Sequence, residues 1–231
     1  MMLRLFVLLF CASSLLSAHR GHPKILRTHV MVYGMSQDDY VEWGRTGADY
    51  ESVRKLVKGG KAELVDVNVI ASRSGERATL ESVREEIYPV EYSSRQSPDL
   101  LNGEIKDLSS SGASMLRPVP LSFETINVGF SIRAEPIIGE DGLTVDLYAS
   151  VNFVDTAGYT HWQSFKDQWG RGDLKFPNYV THRLSNTTVL RFGKFSFNGV
   201  FTAKDEKGEF DPTRKLLVFM MVEKIEVFKE D

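Results

Sequence analysis

Asn127-Val128-Gly129-Phe130-Ser131-Ile132-Arg133-Ala134 is the stretch whose reading decides the fold. Val128, Phe130, Ile132 and Ala134 occupy every second position, and polar or small residues fill the places between them. Successive side chains of a strand point to opposite faces, so this period of two marks a β-strand with one buried face. Glu140-Asp141-Gly142 follows as a hairpin turn signal. Val145, Leu147, Ala149, Val151 and Phe153 then answer with the same alternation on a returning strand.

Working outward toward the C-terminus, Asp155 to Pro177 reads as an irregular stretch that carries Trp162 and Trp169. Three extended runs come after it, Tyr179 to Arg191, Phe195 to Phe201 and Arg214 to Ile225, with Lys204 to Pro212 as a polar turn. Toward the N-terminus, Pro89 to Pro120 is rich in Ser, Gly and Pro. Its core, residues 93–120, is expected to be a mobile loop, because ordinary connections are much shorter. Before it, Val65, Val67, Val69 and Ala71 alternate with Asp66, Asn68 and Ile70, a half-buried strand with one lapse. Ser74-Gly75 makes a turn, from which Glu76 to Tyr88 is expected to return as the partner of that strand.

Two helices stand near the start. Ser36 precedes Gln37-Asp38-Asp39-Tyr40-Val41-Glu42-Trp43, an N-cap followed by acidic residues that suit the positive end of a helix dipole. Asp49 caps Tyr50 to Lys58, where Val53, Leu56 and Val57 share a face and Gly59-Gly60 ends the helix. A short strand, Thr28 to Tyr33, comes before both. The expected fold is therefore α+β and mainly β, with about seven strands in long antiparallel hairpins and two short N-terminal helices. Residues 27–60 form a small α/β segment and residues 61–229 the β domain.

Residues 1–18 differ from the rest. Arg4 opens an apolar run from Leu5 to Leu16 that ends in Ser17-Ala18. The run is too short to cross a hydrocarbon core of about 30 Å. A basic start, a short apolar middle and a small-residue exit are the pattern of a secretory signal peptide, with cleavage expected after Ala18. Cys11, the one cysteine, falls inside it behind Leu9-Phe10, where a lipoprotein signal would want small residues. The mature chain then has no thiol, which excludes disulfides, cysteine-ligated zinc and cysteine nucleophiles together. Over all 231 residues the net charge is −3, with 42% hydrophobic and 26% charged residues. That composition is globular, and its mildly acidic balance argues against nucleic acid as a partner.

Signatures of catalysis are missing. There is no Gly-x-Ser-x-Gly elbow and no His-Glu-x-x-His, and Gly59-Gly60-Lys61-Ala62 lacks the remaining residues of a phosphate-binding loop. The five histidines, His19, His22, His29, His161 and His182, show no ligand spacing. Asp205-Glu206-Lys207-Gly208-Glu209 resembles a calcium loop but places Lys207 where an oxygen ligand is needed. Arg171-Gly172-Asp173 is read as a loop, and Asn186-Thr187-Thr188 as a sequon that matters only in a glycosylating host. No catalytic residue, metal site or cofactor is expected. Aromatic residues supply the candidate interaction surface: Phe192, Phe195, Phe197 and Phe201 in and around one late strand, with Trp162 and Trp169 as anchors for a partner.

Several segments resemble one family. Ala71-Ser72-Arg73-Ser74-Gly75-Glu76-Arg77-Ala78-Thr79 resembles the strand, Gly-bearing turn and strand of the secretins, the outer-membrane pores of type II and type III secretion and of type IV pili. Glu86 to Tyr92 fits the segment after it, and Glu124 to Ile138 is similar to the family's Val-Gly segment running by apolar alternation to Pro. Gly142 to Val151 is similar to its next strand. Arg183, Thr187-Thr188-Val189 and Gly193, followed by Phe197 to Val200, resemble the late hairpin, and Arg214 to Val222 the terminal apolar strand. The likeness runs from Ala62 to Ile225 and lies in order and spacing. It departs at Lys204 to Pro212, short and charged where secretins are apolar, and in the absence of preceding ring-forming modules.

The resemblance implies a free-standing, shortened secretin core. Such a chain is a non-enzymatic exported protein of the periplasm or outer membrane of a Gram-negative-type bacterium. It works as a component or accessory of a secretion or pilus system. Protein partners or self-association through sheet edges are expected, with contact to the outer membrane. The rival expectation is a soluble periplasmic β-rich module that binds a ligand or protein through the Trp162 to Trp169 loop.

Overall fold

The computed structural model describes residues 24–47, 49–93, 119–167, 170–205 and 207–225. The leader, Cys11, Trp169 and residues 94–118 of the expected loop lie outside the described residues. Ten elements follow in order: β1 (Ile25–Ser36), α1 (Gln37–Arg45), α2 (Tyr50–Lys58), β2 (Ala62–Arg73), β3 (Ala78–Ser93), β4 (Val119–Ile138), β5 (Thr144–Asp167), β6 (Gly170–Arg191), β7 (Ser196–Lys204) and β8 (Phe210–Ile225). They form two four-stranded sheets, β2-β1-β8-β7 and β3-β4-β5-β6, in which every pairing is antiparallel. The α+β, mainly β class is that of the sequence reading.

Both helices sit where their caps place them. Ser36 Oγ accepts from Asp39 N at 3.0 Å, and Asp49 Oδ1 accepts from Ser52 N at 2.8 Å. Val53 is fully buried, with Leu56 and Val57 packed beside it. The central hairpin also follows its alternation. Val128, Phe130, Ile132 and Ala134 on β4 and Val145, Leu147, Ala149 and Val151 on β5 are all buried. At the turn between them, Asp141 Oδ1 accepts from the backbone of Leu143 and Thr144, each at 2.9 Å.

All of these side chains but Val128 meet Leu26, Val30, Ile70, Val218, Met220 and Val222 from the other sheet in one apolar core. On the far side of that sheet, Tyr33, Met35, Leu217 and Phe219 pack against Trp43 and Val53 of the helices. The molecule thus has three layers, helices on sheet on sheet. Its middle sheet is apolar on both faces around β8, where Leu217, Val218, Phe219 and Met220 are all fully buried.

Three expectations differ from the structure. First, β3 does not pair with β2 but with β4, and β2 pairs with β1. The Ser74-Gly75 turn is a corner between sheets. Gly75 N donates to Pro136 O at 2.8 Å, while Ser74 Oγ accepts from Ile138 N at 3.0 Å. Gly75 holds φ at +79°, which suits glycine alone at small cost. Second, Pro89 does not end β3, and residues 155–167 and 170–177 are not irregular. The strands continue through both, with bulges at 89–92, 156–159 and 161–163 that break the alternation by which strands are recognised. Among the described residues eight strands result. Third, on β2 the lapse is the buried residue: Ile70 is in the core, whereas Val65, Val67 and Val69 are exposed on the edge strand.

Traced in chain order, the strands circle the sandwich from β1 to β8, and β8 closes on β1. The circuit is open at two corners, β2/β3 and β6/β7, each turned by a short loop. At the second corner Gly193 N donates to Val222 O at 2.9 Å.

Candidate interaction surface

β4 and β5 stay paired only from Ile138/Val145 to Gly129/Val154. Beyond that point each pairs solely with its outer neighbour. The β3–β4 hairpin runs on to Ser93/Val119, and the β5–β6 hairpin to Asp167/Gly170. Two ribbons therefore project past the core. Gly129 marks the parting, with φ at +133° and a backbone so close to β3 that a Cβ would lie 2.3 Å from Ser82 O.

Side chains hold the two ribbons together. Glu86 on β3 accepts from Thr156 Oγ1 at 3.2 Å and from Tyr179 OH at 3.3 Å, across to β5 and β6. Arg84 Nε donates to the same carboxylate at 2.9 Å. Partial burial alone would raise the Glu86 pKa, but the Arg84 and Thr156 hydrogen bonds outweigh it and hold it below the usual carboxylate value. Tyr179 is pushed up to about 12, first by burial and then by the Glu86 charge. Aromatic rings continue the contact outward. Tyr88 lies 5.6 Å from Tyr179, Tyr92 lies 5.6 Å from Phe176, and Trp162 lies 6.0 Å from Phe176.

The opposite face of the β3–β4 ribbon is apolar and open. Ile87 stands opposite Thr125 and Pro89 opposite Phe123, so these residues share one face. Ile87 is 71% exposed, Leu121 59% and Phe123 57%. The sequence reading missed this row because Leu121 and Phe123 stand across the strand pair from Ile87, and only the register unites them. Trp162, at 74% exposure, is the most open large apolar side chain among the described residues.

The structure divides the late phenylalanines between two faces of one sheet. Phe195 stacks on Tyr50 with centroids 4.1 Å apart, and Phe197 lies 5.4 Å from Trp43, both on the helix side. A bulge at Asn198 then reverses the facing. Phe201 packs on the inter-sheet core, 5.2 Å from His182, and Phe192 joins the same core with Lys224 Nζ 4.3 Å from its ring centroid. Trp162 stands apart from all four, on the projecting β5–β6 ribbon. Among the described residues no group of three or more His, Cys, Asp or Glu is placed to hold a metal ion, and no helix is long and apolar enough to cross a membrane.

No family model matches the chain, and no curated protein matches it in sequence. In structure it is similar to secretins. The secretin-domain β-barrel of InvG from the Salmonella SPI-1 injectisome aligns with 90% of this chain and 65% of its own, at 9% identity and a TM-score of 0.46. The V. cholerae type IV competence pilus secretin PilQ aligns with 88% of this chain and 61% of its own, at 11% identity and a TM-score of 0.43. Aeromonas hydrophila ExeD aligns with 88% of this chain and 49% of its own, at 13% identity and a TM-score of 0.42. The chain spans about half to two thirds of the length of these structures.

Proposed function

We propose that this chain is an exported, non-enzymatic structural subunit on the plan of a secretin core, working in or beside an envelope secretion or pilus machine through contacts with other protein chains. The observation that carries the reading is the pair of ribbons beyond Gly129/Val154. They leave the edges of β3 and β6 without a further strand neighbour among the described residues. Strand edges of this length template pairing with another chain, and the outward Ile87, Leu121 and Phe123 row adds apolar area for a neighbour or for lipid. The ordered sequence likeness to secretins from Ala62 to Ile225 supports the same reading.

The test is the mass of the purified mature protein, measured in aqueous buffer and in detergent. A ring-sized particle in either medium is the expected result. A monodisperse monomer in both would overturn the proposal and favour a soluble binding module that uses the exposed Trp162.

A further inference from the structure

The outer face of the β3-β4-β5-β6 sheet is polar, and one part of it is built as a furrow. In register across the four strands stand Glu81, Ser131, Asn152 and Arg183, and beside them Thr79, Arg133 and Ser150. Strands lie about 4.8 Å apart, so the first row spans about 14 Å. Short side chains, Ser131, Ser150 and Asn152, form the floor, and the longer Glu81, Arg133 and Arg183 form the walls of a cavity of about 290 Å³.

Two features make this more than a solvated face. Among the described residues neither the Arg133 nor the Arg183 guanidinium has a hydrogen-bond or ion-pair partner, although Glu81 lines the same furrow. At the floor, Asn152 Oδ1 is buried without a hydrogen-bond donor. A buried acceptor left without a donor costs about 1–3 kcal/mol, and a ligand donor reaches Asn152 Oδ1 only when the floor side chains move aside. The furrow thus presents two guanidinium forks for an oxyanion, and acceptors at Glu81, Ser131 and Ser150 for hydroxyl groups. Its volume suits one small molecule rather than a folded partner.

We infer that this furrow is a binding site for an acidic carbohydrate unit, its carboxylate held by Arg133 and Arg183 and its hydroxyls by Glu81 and the serine floor. The inference does not rest on the proposed assembly, because its test reads ligand binding to the face of the paired strands, next to the point where the ribbons begin.

Glucuronate, glucose and inorganic phosphate, each titrated into the full chain and followed by the NMR signals of Ser150, Asn152 and Arg183, test it. Saturable shifts are expected with glucuronate, at an affinity about tenfold or more above that for glucose, the scale of one charge-assisted contact. Arg133→Gln and Arg183→Gln should each remove that preference with no change in melting temperature, and Arg73→Gln, off the furrow, should leave it. Three results would overturn the inference. These are no saturable shift with glucuronate, equal affinity for glucose and glucuronate, and phosphate binding that matches glucuronate.

Discussion

His182 is one of the few polar side chains in the apolar interior, 9% exposed and set against Phe201. It lines a small inter-sheet cavity with Asp66, Phe130 and Val218, and Lys204 is the nearby cation. Burial first, and Lys204 second, hold its pKa below the usual 6.5. The unfolded chain therefore binds the proton more tightly than the folded one. Stability is complete above pH 6.5 and declines as pH falls from there toward the depressed folded value. Glu223, lowered chiefly by its hydrogen bond from His29, loses its contribution only below the carboxylate value of 4.5. Denaturant titrations between pH 7 and about pH 5 should show a decline with a slope of up to one proton, and His182→Leu should flatten it. An unaltered slope in the variant would place the proton uptake elsewhere.

At the scale of the element, β4 turns on Gly129. Its φ of +133° is closed to other residues at ordinary cost, and the Ser82 carbonyl occupies the space of a Cβ. Gly129→Ala is expected to destabilise the protein by about 1–3 kcal/mol from backbone strain alone, read as a lowered denaturant midpoint. A wild-type midpoint would show that β3 yields. The same strand shows what a sequence discloses. Between Val128 and Ala134 the pattern of burial is strict, and there the alternation identified the core face residue by residue. The helices were equally legible, because Ser36 and Asp49 cap by local chemistry. Legibility ended where local pattern and long-range pairing part company. Ser74-Gly75 has the composition of a hairpin turn, yet its hydrogen bonds go to β4, and composition carries no record of that. Val65, Val67 and Val69 alternate as a buried row would, but β2 is an edge, so neighbours cover Ile70 instead. Phe197 and Phe201 share a sequence parity that the Asn198 bulge cancels. In the projecting ribbons, bulges at 156–159 and 161–163 hide strands that a pairing partner restores.

The described residues combine a two-sheet core, turned at two corners, with an open end. In the core β8 returns to β1, and both corners between the sheets are tied by backbone hydrogen bonds. The ribbons leave the edges of β3 and β6 open, and their apolar row faces away from the body. These two regions make opposite predictions for a charged substitution. Phe195 is held against Tyr50, so Phe195→Asp should lower stability by about 2 kcal/mol or more through the fold itself. Phe123 touches the outward face only, so Phe123→Glu should leave stability within about 0.5 kcal/mol. If that face meets a neighbouring chain or lipid, Phe123→Glu will nevertheless shift the protein from the assembled to the monomeric form in sedimentation. A variant that folds, melts and sediments as the parent does would remove the outward row from the interface and leave the strand edges of β3 and β6 to carry assembly alone.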